Sequence, residues 1–151
     1  MKRTKNRKPF ILAVALALLT GCGLVSRDEV ARVSSPDGRV EAVLIETNAG
    51  ATTSFGYEVH VVPKGRSTSA QVAWLYGAGR SKNAYGANLK WTDDHELVIE
   101  YLDAREERLE RASVNVEGRA VKVSLRSGVN DATAPAGGML YNLERARGSS
   151  K

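Results

Sequence analysis

The feature that most restricts this chain is a two-residue hydrophobic period that recurs in short runs along it. Phe55, Tyr57, Val59 and Val61 alternate with Gly56, Glu58 and His60. Leu97, Ile99 and Tyr101 repeat the pattern, with Val98 and Glu100 on the opposite face. Such alternation sends successive side chains to opposite faces of a strand and gives a helix no single apolar face. Residues 40–45 are apolar enough on both faces for an inner strand, and a further alternation starts at Val30. Val114 and Val116, then Val121, Val123 and Leu125, predict a hairpin. With Gly118 and Arg119 as a two-residue type II′ loop, Val116 faces Val121 and Val114 faces Val123. Residues 71–76 and 139–143 are further short candidates. Many short strands, punctuated by 14 Gly and four Pro, predict an all-β domain built as an antiparallel sandwich or barrel.

One stretch, residues 103–112, carries a helical charge pattern, with Asp103 as a cap and Glu107 four residues before Arg111. Its sole large apolar side chain is Leu109, so a solvated connection with one or two helical turns is expected. Residues 77–88 and 127–138, rich in Gly, Ala and Asn, are expected to be loops without regular structure. Ser35, Pro36, Asp37 and Gly38, followed by an apolar strand, favour a type I turn ending in a left-handed residue. This unit resembles the turn-and-strand unit of periplasmic propeller repeats, and Trp91 to Ile99 resembles a degenerate second copy. Two copies cannot close a propeller, which takes about four blades at least. They are compatible with two packed blade-like sheets, a variant of the sandwich.

The charge is segregated. The chain has 22 Lys and Arg against 17 Asp and Glu, a net +5. Lys2, Arg3, Lys5, Arg7 and Lys8 precede residue 10, and no acid occurs before Asp28. Without the first 21 residues, 17 basic side chains face 17 acidic ones. A neutral domain lacks the basic footprint of a nucleic-acid binder. The single cysteine excludes an internal disulfide and a Cys-rich zinc site. No metal or cofactor is expected. After the basic stretch, the apolar run of residues 10–19 reaches ~15 Å as a helix, about half of the hydrocarbon core. It is too short to span permanently and suits the apolar region of a secretion signal.

Leu19, Thr20, Gly21 and Cys22 follow at once and resemble the lipobox of bacterial lipoprotein precursors. The resemblance implies cleavage between Gly21 and Cys22 and a diacylglyceryl group on the Cys22 sulfur. The membrane is then a partner through the Cys22 lipid, since each buried acyl CH₂ contributes ~0.8 kcal/mol. An ordinary secretion signal followed by a chance cysteine is the competing reading. Gly23, where an Asp would resemble an inner-membrane retention signal, implies the periplasmic face of an outer membrane, or the cell membrane where there is only one. The expected layout is a signal peptide over 1–21, a lipidated cysteine and short tether over 22–29, a β-rich domain over 30–143 and a polar tail over 144–151.

The turn at 35–38, the segment Gly50 to Tyr57 and the run Trp91 to Tyr101 together resemble a group of small bacterial proteins, many secreted or lipid-anchored. The group is classed as a domain of unknown function. The resemblance covers residues 33–125 and implies an all-β domain outside the cytoplasm, with no activity to transfer.

Chemistry-bearing residues are few. Asp93, Asp94, His95 and Glu96 place four potential ligands in one turn. A working site needs groups converging from several elements, so a solvated turn is preferred and Asp93 and Asp94 remain speculative binding residues. His60 falls on the polar face of its strand. Neither a nucleophile elbow, nor a His-Glu-x-x-His helix, nor a P-loop is present. Residues 50–54 expose backbone N–H groups that suit an anion, with Thr52 and Thr53 as speculative contacts. Satisfaction of the local backbone by the Thr hydroxyls is the preferred alternative. Trp74, Trp91, Tyr76 and Tyr85 offer aromatic area for a glycan or protein surface, although a Trp in a β domain is usually core. No catalytic residue is expected. The expected function is that of a non-enzymatic, lipid-anchored envelope protein that binds a protein or cell-wall partner close to the membrane. Two alternatives are an inhibitor of an envelope hydrolase, and a small hydrolase. The hydrolase would use His60 or His95 with Asp93 or Asp94, or Glu46 and Glu58 as a carboxylate pair.

Overall fold

The structure, a computed structural model, describes residues 25–66 and 69–133. All of its regular elements are strands: β1 (Ser26–Ser34), β2 (Val40–Asn48), β3 (Gly56–Pro63), β4 (Ala70–Tyr76), β5 (Gly79–Ser81), β6 (Ala84–Tyr85), β7 (Asn88–Asp93), β8 (Glu96–Glu100), β9 (Glu106–Leu109), β10 (Ser113–Val116) and β11 (Arg119–Arg126). The fold is all-β and sandwich-like. A five-stranded sheet in the order β1-β2-β3-β4-β9 packs on a four-stranded sheet in the order β10-β11-β8-β7, and β5 and β6 form a small hairpin. The segments expected at 139–143 and 144–151 lie outside the described residues, as do Gly21 and Cys22.

Alternation decides the faces. In the large sheet, Ala42, Leu44, Tyr57, Val59, Val61, Ala73 and Leu75 point inward. They meet Leu89, Leu97, Ile99, Val116, Val121 and Val123 of the small sheet. As expected for an inner strand, β2 lies between β1 and β3 with both faces largely buried. β1 starts four residues before Val30, at Ser26. A shift in register between Glu29 and Ala31 turns both Val30 and Ala31 into the core, which hides the alternation of this strand in the sequence.

Four expectations are corrected. The first is the hairpin: Val114 faces Val121 and Val116 faces Arg119. The loop is Glu117 and Gly118, with φ of 50° and 82°, and not Gly118 and Arg119. Positive φ at both central residues is the type I′ pattern, whose twist matches the strands, and Asn115 Oδ1 accepts from Gly118 N at 2.9 Å. Second, β11 runs parallel to β8, so the small sheet is not wholly antiparallel. Third, residues 103–112 are not helical. Their centre is the exposed strand β9, hydrogen-bonded to the edge of β4. A short helix with one apolar anchor is marginal in water, whereas an open sheet edge offers ready backbone partners. Fourth, residues 77–88 contain the β5–β6 hairpin. Residues 127–133, the described part of the other expected loop, do lack regular structure and dock by backbone bonds from Gly128 to Leu102, Val129 to Tyr101 and Asp131 to Arg80.

The two ends of the sandwich are closed differently, one by chain crossings between the sheets and the other by turns within each sheet. At one end the path leaves β4 for β5–β6 and β7, and leaves β8 for β9. Leu102 N donates to Gly79 O at 2.7 Å there, and Arg105 N to Tyr76 O at 2.9 Å. At the other end lie the turns of residues 35–38 and 92–95. The first is the expected type I turn, with Gly38 N bonded to Ser35 O at 2.8 Å and Gly38 at φ 70°.

Candidate binding face

The outer face of the large sheet is assembled by register. Ile45, Glu58, Trp74 and Arg108 stand in one row across β2, β3, β4 and β9. Arg27, Thr47, Gly56 and Tyr76 form the next. Trp74 and Tyr76, two residues apart on β4, stack at 5.8 Å with their planes 8° apart. The Arg108 guanidinium lies 5.0 Å from the Trp74 ring, within cation–π range. Gly56, beside the stack, leaves room for the Thr47 side chain, since a Cβ there would collide with Thr47 Oγ1. The Tyr76 hydroxyl is held by Ser54 N at 3.0 Å.

Beside the aromatic stack runs a lattice of ion pairs. Arg27 grips both Glu58 oxygens at 2.5 Å. His60 Nε2 lies 3.0 Å from Glu58 Oε2, and His60 Nδ1 lies 3.1 Å from Ser69 Oγ. Arg32 donates to Glu29 at 2.7 and 2.8 Å and to Glu41 at 2.8 Å. Burial pulls the Glu58 carboxyl upward, but the Arg27 and His60 contacts outweigh it and hold it below the usual carboxylate range. Hydrogen bonding to Glu29 raises the Arg32 guanidinium further, so Arg32 and Glu58 are both charged at neutral pH.

Ser69, His60 and Glu58 therefore line up as hydroxyl, imidazole and carboxylate. Such a line can pass a proton from the hydroxyl to the ring. Two features set it apart from an activated nucleophile: Glu58 is neutralised by a bidentate arginine, and Glu58 and His60 are simply alternate residues of one strand. His60 finds its partners here and not at Asp93 or Asp94, and His95 belongs to the other sheet, its Nδ1 3.1 Å from Ala120 O. Glu46 and Glu58 cannot act as a pair, because register puts Glu46 opposite Tyr57 and Glu58 opposite Ile45. The two carboxylates thus leave opposite faces of the sheet. Glu46 is buried and accepts from the Tyr57 hydroxyl at 2.7 Å, and burial pushes that phenol well above its ordinary pKa.

The remaining expected residues have structural partners. Asp94 Oδ1 accepts from Asp37 N at 2.8 Å, and Asp93 Oδ1 accepts from His95 N at 2.6 Å. Arg119 pairs with Asp37 at 2.5 Å and donates to Asp94 O at 3.2 Å. The two echoing turns thus meet and are clamped by one arginine. In the exposed loop of Thr52 and Thr53, Thr53 N and Oγ1 both donate to Gly50 O, at 3.1 and 3.0 Å. Gly50 N donates to Asn48 Oδ1 at 2.9 Å. Those donors are used inside the loop and do not converge on an anion. Trp91 packs against the core, its Nε1 donating to Val33 O at 3.0 Å, so the two tryptophans divide between core and surface. Among the described residues no three His, Cys, Asp or Glu side chains gather as a metal site requires.

Sequence reasoning missed Arg27, Glu29, Arg32 and Arg108. The available signal was the two-residue spacing of Arg27 and Glu29; their partners are set by cross-strand register, which a single sequence does not display. At the crossover end, a cleft of about 550 Å³ is lined by Ser81, Lys82, Asn83, Tyr85, Asp103 and Arg105, among others. Comparison of the chain with protein-family models, curated proteins and solved structures gave no match.

Proposed function

We propose that the protein is a lipid-anchored bacterial envelope lipoprotein, attached through Cys22, which binds a protein or cell-wall partner close to the membrane without turning it over. The observation that carries the binding role is the Trp74–Tyr76 stack under Arg108 on the outer sheet face. Aromatic and arginine side chains are the common energetic anchors of binding surfaces, and their flat faces suit sugar rings as well as protein. The ion-paired lattice beside them fixes the shape of that face before any partner arrives, which lowers the ordering cost of binding. An inhibitor of an envelope hydrolase is the same reading with the partner specified. The signal-like N-terminus and the lipobox resemblance support the anchor.

The anchor is tested by mass spectrometry of the mature N-terminus, where a diacylglyceryl-modified Cys22 is expected. Another N-terminal residue, or an unmodified Cys22, overturns the anchor. The face is tested by a photo-crosslinking residue in place of Tyr76 in living cells. One adduct of defined mass, lost on Trp74→Ala, is expected; no adduct, or adducts indifferent to Trp74→Ala, overturns the binding face.

A further inference from the structure

We propose that the crossover end of the sandwich rests on the phospholipid headgroups of the bilayer that holds the Cys22 lipid, so that the anchor fixes orientation as well as location. This rests on the lipidation reading above. The chain length comes first. From Cys22 to Ser26 there are four residue steps, at most ~14 Å of extended chain. β1 begins at Ser26, opposite Asn48. By register, the start of β3 at Gly56, the end of β4 at Tyr76 and the start of β9 at Glu106 lie along the same end. A tether this short keeps that end, and not the opposite one, within reach of the lipid surface, and the contacts of that end decide whether it rests there. The eight residues of β3 separate the two ends by ~27 Å.

The surface chemistry of that end agrees. Among the described residues the exposed large hydrophobic side chains are Val25 at 52%, Tyr85 at 43% and Leu109 at 39%. Two of these three, Val25 and Tyr85, are at the tethered end. Tyr85 and Phe55 pack edge to face, with ring centroids 5.4 Å apart, so the Tyr85 ring is braced although the residue is exposed. A tyrosine with an apolar body and a polar tip suits the headgroup layer. Lys82 and Arg105 line the same cleft as Tyr85, and their long stems let the charge reach phosphate while the methylenes cover apolar surface. Asp103 also faces the cleft and Glu106 is exposed at its edge, so the attraction is local to the two cations. Such a contact is weak alone. The lipid makes it intramolecular, at an effective concentration of order millimolar, which populates it.

The test uses the full-length mature lipidated protein in vesicles of phosphatidylethanolamine and phosphatidylglycerol. Cys22 is the only cysteine, and in the lipidated protein its sulfur is blocked as the diacylglyceryl thioether, so Asn83→Cys or Lys64→Cys gives one labelling site at the tethered or the distal end. Brominated lipids are expected to quench a fluorophore at position 83 and to leave one at position 64 unchanged. Adding Tyr85→Ser and Lys82→Glu to the position-83 probe is expected to relieve the quenching. Equal quenching at both positions, or quenching at 83 that survives the double substitution, overturns the contact surface. Mass spectrometry of the same sample separates the causes. A lipidated terminus with no selective quenching overturns this inference alone; an unmodified Cys22 overturns it together with the anchor.

Discussion

Glu58 has an alternating neighbour in His60, a cross-strand arginine in Arg27 and, through His60, a hydroxyl in Ser69. Its side chain is only 11% exposed, so the carboxylate depends on these partners in place of water. Arg27→Ala takes the charged donor from both Glu58 oxygens, leaving Oε2 with His60, and is expected to destabilise the fold by about 1–3 kcal/mol, measured by urea unfolding. The sign of the pH effect follows from the lowered Glu58 pKa. Its contribution is complete above the unfolded value near 4.3 and is lost as pH falls through the folded value, so Arg27→Ala flattens the acid side of the stability profile. Ser69→Ala is expected to leave stability unchanged, and the binding role proposed above predicts no ester turnover by either protein. Ester hydrolysis by the purified protein, abolished by Ser69→Ala and His60→Ala, would instead assign the line as a hydrolase.

Elements show how local chemistry can fix a face without fixing a partner. The β10–β11 hairpin slips by two residues from the expected pairing, and because the side-chain period is two, the four valines keep their common face. The price of the observed loop is Glu117 at φ 50°, a conformation that costs an ordinary L-residue about 1–2 kcal/mol. Glu117→Gly or Glu117→Asn is therefore expected to raise stability by about 0.5–1 kcal/mol, and Gly118→Val to lower it, both read from unfolding midpoints. β9 shows the converse. Residues 106–109 have a helical charge pattern, yet they form a strand because β4 leaves an edge open and the Tyr101 hydroxyl reaches Glu107.

In the whole molecule the chain crosses between the two sheets three times, β4 to β7 and β8 to β9 at the tethered end and then β9 to β10, and a charge clamp joins the sheets at the distal end. Asp37 carries the clamp. The Arg119 guanidinium, then the Ser35 hydroxyl, hold its carboxyl down to about 2. This contribution is present above the ordinary Asp pKa near 4 and disappears as pH falls toward 2. Arg119→Met is expected to lower the thermal midpoint at neutral pH and to remove most of the change in midpoint between about pH 4 and pH 2 that Asp37 contributes. An unaltered pH profile in this variant would show that the turns are held by packing alone. With one end clamped and the other tied by Leu102–Gly79 and Arg105–Tyr76 backbone bonds, the outer face with Trp74 is presented on a braced support.

Some of this was legible in residues 25–133 as sequence. Alternation at 55–61, 97–101 and 114–125 determined strands and their buried faces, since which side a residue occupies depends only on its parity along the strand. Ser35, Pro36, Asp37 and Gly38 determined their turn, because fixed and permissive φ values act within four residues. Only the tertiary structure decided the pairing of β11 with β8 in parallel, the capture of residues 106–109 by an open edge, and the opposite faces of Glu46 and Glu58. The same is true of the candidate face. Arg27 meets Glu58 across 31 residues and Arg108 meets Trp74 across a strand pair. Cross-strand neighbours are selected by register, and register is a property of the packed sheets that a one-dimensional pattern of period two leaves free.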